Sequence, residues 1–209
     1  KSGAAFLSSD FVTVLTVNGR GNKLVTRKND GKVKKDAGPP ISEAIAQTIQ
    51  VKTRKAMTRL LRKIGKYSNR VLVLGFVPGT EPDGRADTGE PYKIVSQKNM
   101  SKALGVDHET PEGLEAILGW HEVNGKKSIC RLKSNFAPSS WCLLDIDAVR
   151  GMPDHLASMD SDDRLDALAD VVPSFEKAGV VIVPSTTGRV LVDGVPMDTT
   201  GEHFYIQLK

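Results

Sequence analysis

Residues 11–17, F-V-T-V-L-T-V, alternate apolar and threonine positions well enough to predict a strand, and N-G-R-G-N after them reads as a turn. K-L-V-T-R-K would then pair back on that strand as a hairpin. Residues 29–40 are polar and rich in Gly and Pro, which predicts a loop. Ser42 can cap a helix running to about residue 66, with Glu43 favourable in its first turn. Ile45, Ile49, Ala56, Leu60 and Ile64 would form its buried stripe. Residues 71–77, V-L-V-L-G-F-V, read as a buried strand, and residues 78–91, punctuated by Pro and Gly, as a long loop.

Further on, residues 110–119 predict a short helix with Thr110 as cap and Pro111 at its first position. Strands are expected at 128–134, 141–146, 179–184, 189–192 and 203–208. A helix is expected over 162–178, broken or restarted at Pro173. No internal repeat is visible. The pattern predicts an α+β fold with a mixed sheet and helices packed to one side.

Composition limits the function classes. In 209 residues, 39% hydrophobic content is enough for a sizeable core, and the longest apolar runs are far too short to span a bilayer. The N-terminus does not resemble a signal peptide, and it opens on Lys1 rather than Met, which reads as a processing boundary. Cys130 and Cys142 lack zinc-site spacing and suggest a reducing cytoplasm rather than a disulfide framework.

The net charge of +4 hides an asymmetry. Residues 1–100 carry 19 Lys/Arg against 8 Asp/Glu, and residues 101–209 carry 10 against 17. A basic region over 1–105 would suit a polyanion, and an acidic region over 106–209 could hold divalent metal. Seven basic residues (Lys52, Arg54, Lys55, Arg59, Arg62, Lys63 and Lys66) follow one another with no acid between them. Lys52, Lys55, Arg59, Arg62 and Lys66 would share one helical face, a stripe suited to a nucleic-acid backbone.

The chemistry centres on W-C-L-L-D-I-D, residues 141–147. Asp145 and Asp147 at i and i+2 would point to one face of a strand. At a strand end they can converge on Mg²⁺ or Mn²⁺, which takes few carboxylates, retained waters and substrate phosphate oxygens. The plain alternative is a strand that reaches solvent and turns. The run V-V-I-V leads into Ser185, Thr187, Gly188 and Arg189, where hydroxyls, backbone N–H groups and a guanidinium could meet phosphate. An ordinary turn would look the same. His203 in G-E-H-F-Y-I is either a core histidine or a solvent-facing group that reaches phosphate.

The order L-L-D-I-D, then an apolar strand into S-T-T-G, then G-E-H-F-Y-I resembles the archaeo-eukaryotic primase superfamily, including phage- and plasmid-borne primase-polymerases. The stretch R-L-K-S-N-F-A-P-S-S-W also looks like phage-type members, and the resemblance covers residues 128–209. It implies a primase-polymerase-like catalytic core that makes primers on single-stranded DNA by nucleotidyl transfer. Asp145 and Asp147 would be the metal ligands, and His203 would contact the nucleoside triphosphate beside Ser185, Thr187, Gly188 and Arg189. Lys52, Lys55, Arg59, Arg62, Lys63 and Lys66 would hold the template. The resemblance further implies the cytoplasm of a bacterial host, no membrane, and a replicative helicase as a further partner. The family's third acidic motif follows the histidine, whereas this chain ends six residues after His203. That implies a truncated catalytic core, favoured by the unpaired strand edge it would leave, or a divergent inactive member.

Two other functions fit parts of the sequence. D-I-D-A-V matches the motif of haloacid-dehalogenase-like phosphatases, with Asp145 as nucleophile and Asp147 as general acid. That reading leaves G-E-H-F-Y and the basic half without a role. A non-catalytic single-strand-binding replication module would make the aspartates structural, although few aromatics argue against a stacking platform.

Overall fold

A computed structural model describes residues 9–19, 21, 24–27, 33–36, 40–83, 87–146, 154–184, 191–192, 195–196 and 202–208. The first part carries β1 (Phe11–Val17), β2 (Leu24–Arg27), β3 (Val33–Asp36), β4 (Glu43–Gln50), α1 (Arg54–Ile64), β5 (Arg70–Val73), β6 (Gly75–Phe76), β7 (Tyr92–Val95) and α2 (Gln97–Leu104). Next come α3 (Pro111–Ala116), β8 (Trp120–Val123), β9 (Lys126–Cys130), β10 (Ala137–Pro138) and β11 (Trp141–Ile146). The chain closes with α4 (Asp154–Ala157), α5 (Ser161–Val171), β12 (Gly179–Pro184), β13 (Leu191–Val192), β14 (Val195–Pro196) and β15 (Glu202–Gln207). The protein is α+β, built on a mixed sheet with few helices.

The main sheet has the order β5-β1-β4-β7-β9-β8, antiparallel except where β9 runs parallel to β7. That parallel pair needs a crossover, which α2 and α3 supply. The sheet crosses the charge boundary near residue 105, taking β7 from the basic side and β8 and β9 from the acidic side.

Two early expectations are corrected. The expected hairpin does not form: β2 pairs with β3, a strand inside the expected loop, and β1 pairs with β4 and β5. The expected helix over 42–66 is strand β4 followed by the shorter α1. Ile45 and Ile49 stand four apart, which fits a helical turn and also two strand repeats. The full-length pairing partner offered by β1 settles the ambiguity, so Ala44, Ala46 and Thr48 are buried and Ile45 is exposed. Thr53, not Ser42, caps α1, its Oγ1 accepting from the Ala56 N–H at 3.2 Å.

The register divides the main sheet into two faces. Val12, Val14, Ile49 and Leu72 share one face, where Met57 and Leu60 of α1 pack with Val51. Val95, Val123 and Cys130 lie on the same face under Met100 and Ile117. Leu15, Val17, Ala44, Ala46, Ile94 and Ile129 form the opposite face, closed by Val77 and Phe136 from irregular segments. α1, α2 and α3 thus pack to one side of this sheet.

The second sheet, β11-β15-β12, is antiparallel at both pairings. β15 lies between two strands that are joined through α5, a split β-α-β arrangement. Trp141 is the joint between the sheets. Its indole is buried in the α1 cluster, and its Nε1–H donates to the Val51 carbonyl at 2.7 Å. Gln207, opposite Trp141, donates to the Lys52 carbonyl at 3.0 Å. The strand at 141–146, the cap at Thr110 and the restart at Pro173 agree with the sequence. Among the described residues no helix is long and apolar enough to cross a membrane.

Trp141→Phe removes the donor to a buried carbonyl and is expected to cost about 2–3 kcal/mol in urea unfolding. Burial pushes the Cys130 thiol up from 9.0 to about 11, and the Arg131 charge pulls it part of the way back. The unfolded thiol ionises first, so the stability held by this burial is complete below pH 9.0 and is lost as pH rises through about 11. The urea midpoint is expected to fall across that window, and Cys130→Val is expected to flatten the fall.

Candidate functional site

β15 is built for a half-buried position: Phe204 and Ile206 are fully buried, while Glu202, His203 and Tyr205 are partly exposed. Its register against β11 sets Trp141 opposite Gln207, Leu143 opposite Tyr205, and Asp145 opposite His203. Directly opposed residues share a face, so Leu143, Asp145, His203 and Tyr205 line one side of the sheet. The His203 Nε2 lies 3.2 Å from Asp145 Oδ1. Both side chains reach water, His203 at 28% and Asp145 at 51% exposure. An open contact of this kind holds at most about 1 kcal/mol. The strand pairing therefore places these groups, and they remain accessible to a ligand.

Tyr205 joins them on the same face. Burial pushes its phenol above the usual range, and the Asp145 charge pushes it further the same way. A neutral hydroxyl thus stands within the field of the carboxylate. The signal in the sequence was simple: Tyr205 follows His203 by two and so shares its face.

Glu202 points to the opposite face, toward α5. There it accepts from Arg164 Nη1 at 2.7 Å and from the Ser161 hydroxyl. Arg164 is buried, and the pair ties the first turn of α5 to the start of β15, one residue before His203. Asp160 caps that helix, accepting from the Asp162 and Asp163 N–H groups at 2.9 Å. Nothing in the local sequence pattern pointed to the Arg164–Glu202 pair.

α1 adds the basic element. Lys52, Arg54, Lys55, Arg59, Arg62, Lys63 and Lys66 are all exposed. None has an ion-pair partner among the described residues. Lys52 precedes the helix and Lys66 follows it, so the helical part of the expected stripe is Lys55, Arg59 and Arg62. The buried side of α1 packs against Trp141, Val181 and Tyr205, which belong to the face that carries Asp145 and His203. The basic helix and the acidic strand end therefore belong to one side of the second sheet.

Asp147, Ser185, Thr187, Gly188 and Arg189 lie outside the described residues. β11 ends at Ile146 and β12 at Pro184, which is opposite Glu202. Among the described residues no group of three or more His, Cys, Asp or Glu converges as a ready metal cage. A cation that keeps most of its waters needs only one or two carboxylates. The exposed Asp145 suits that donor set, whereas Glu202 is committed to Arg164 and Ser161.

Comparison with protein families, with curated proteins and with solved structures finds no match.

Arg164→Met leaves the Glu202 carboxylate without its buried partner and is expected to cost about 3 kcal/mol in urea unfolding. Asp145→Asn, at an exposed pair, is expected to change stability by less than about 1 kcal/mol in the same assay.

Proposed function

We propose that this chain forms the template-, metal- and nucleotide-binding part of a primase-polymerase core, which makes primers on single-stranded DNA. The observation that carries the reading is the placement of Asp145 opposite His203 at 3.2 Å, on the sheet face against which α1 packs. The two groups come from motifs 58 residues apart in the chain.

The reaction joins a 3′-hydroxyl oxygen, whose proton passes to solvent water, to the α-phosphorus of an incoming nucleoside triphosphate, and the bond to the bridging oxygen breaks to release pyrophosphate. A bound Mg²⁺ or Mn²⁺ would supply charge stabilisation for the attacking and leaving oxygens. Asp145, with Asp147, would hold that cation at the strand end. His203 donates from its ring N–H to a phosphate oxygen once the triphosphate displaces it from Asp145. Tyr205 keeps its proton beside the carboxylate and offers a neutral donor to the bound nucleotide. Ser185, Thr187, Gly188 and Arg189 would meet the remaining phosphate oxygens. The exposed cations of α1 hold the template backbone through contacts that do not depend on sequence.

The test is nucleotide incorporation on single-stranded DNA with Mn²⁺, with phosphate release from a generic phosphomonoester measured in parallel. Asp145→Asn is expected to lower incorporation by at least about 100-fold while leaving template affinity within about twofold. His203→Ala is expected to raise the KM for nucleotide by about tenfold. Phosphate release without incorporation would instead make Asp145 the nucleophile of a phosphatase. Template binding with neither activity would leave a binding module.

A further inference from the structure

The segment that leaves α1 reads G-K-Y-S-N-R, residues 65–70. The Gly65 N–H closes the helix on the Leu61 carbonyl at 2.8 Å, and the Tyr67 N–H donates to the Ile64 carbonyl at 2.9 Å. Those bonds hold the Tyr67 backbone against the helix end, yet the residue remains 45% exposed. Arg70 opens β5 opposite Thr16, on the sheet face that carries Val14 and α1. Its guanidinium carbon lies 4.0 Å from the centroid of the Tyr67 ring. An arginine therefore supports the ring by a cation–π contact while much of the ring stays in water.

The surroundings give this stack a partner chemistry. Arg59, Arg62, Lys63 and Lys66 lead directly to it, and neither they nor Arg70 have a carboxylate partner among the described residues. A row of unpaired cations that ends in an exposed, arginine-supported ring matches a strand with a charged backbone and free base faces. A duplex satisfies only the first half, because its bases are already stacked. A second cation–π pair among the described residues, Lys127 over Trp120 at 4.3 Å, differs in kind. Trp120 sits edge-on to the buried Tyr92 at the opposite end of the sheet and serves the core.

We propose that Tyr67, supported by Arg70, is a stacking platform for one unpaired base of a single-stranded nucleic acid whose backbone follows the exposed cations of α1. The proposal deepens the reading of α1 as the template-holding face and rests on that part of it. It also explains how a chain with few aromatics can still grip bases: one well-placed ring sits where the charged track ends.

The experiment is fluorescence anisotropy of the whole chain with a labelled oligothymidine, an abasic oligonucleotide of equal length, and a duplex. Tyr67→Ala is expected to weaken oligothymidine binding by about tenfold and to leave abasic binding within about twofold. Tyr67→Phe keeps the ring and is expected to bind as wild type does. Arg59→Gln with Arg62→Gln is expected to weaken both single strands equally and to reduce the salt slope. Equal loss on the abasic strand, no loss on either strand, or a wild-type preference for duplex would overturn the platform. Because synthesis is not read, the two proposals separate. Tyr67-dependent preference for bases in a chain without polymerase activity keeps the platform and sinks the primase reading. Polymerase activity with unchanged Tyr67→Ala binding does the reverse.

Discussion

The antiparallel register of β11 on β15 is the constraint on which the candidate site depends. With Trp141 opposite Gln207, Asp145 falls opposite His203. A slip of one residue would turn Asp145 to the other face and pull Trp141 out of its cluster. The register is held at the end away from the site, where the Trp141 indole bonds Val51 and the Gln207 amide bonds Lys52. The exposed Asp145–His203 pair is too weak to hold the strands by itself. One sheet thus keeps its stability at a dry end and its accessible chemistry at a wet end.

α1 links this sheet to the rest of the molecule. Its apolar side fills the main-sheet face at Val12 and Val14 and also packs on Val181 and Tyr205 of the second sheet. With both sheets holding the inner side, its seven neighbouring cations are left in water without partners among the described residues. Self-repulsion along such a row is tolerated because tertiary packing, rather than surface charge pairing, supplies the helix's stability. On the other face of the second sheet, Arg164 and Glu202 fasten α5 beside His203, so β15 is held from both sides.

Much of the second half was legible from pattern. The apolar run before Asp145, the strand 179–184, the Thr110 cap and the Pro173 interruption each depend on local chemistry, and each appears where the sequence places it. The first half was less legible. Ile45 and Ile49 satisfy helical and strand periods alike, and only the presence of β1 as a full-length partner decides for the strand. The turn after β1 looked like a hairpin because turn chemistry says where a chain bends, not which strand it meets next. The carboxylate and the histidine were legible as separate candidates. Tyr205 could have been added by parity, while Arg164 carried no signal at all.

The sequence alone determined the inventory: an acidic strand end, a histidine on a later apolar strand, a run of unmixed basic residues, and an α+β alternation of periods. These follow from local preferences and charge, which act over a few residues. Only the tertiary structure decided that Asp145 meets His203, that Glu202 turns away from them to Arg164, and that the basic helix shares their face. Those outcomes depend on strand register and on which surfaces exclude water together. Both are properties of contacts between segments far apart in the chain, and no local pattern encodes them.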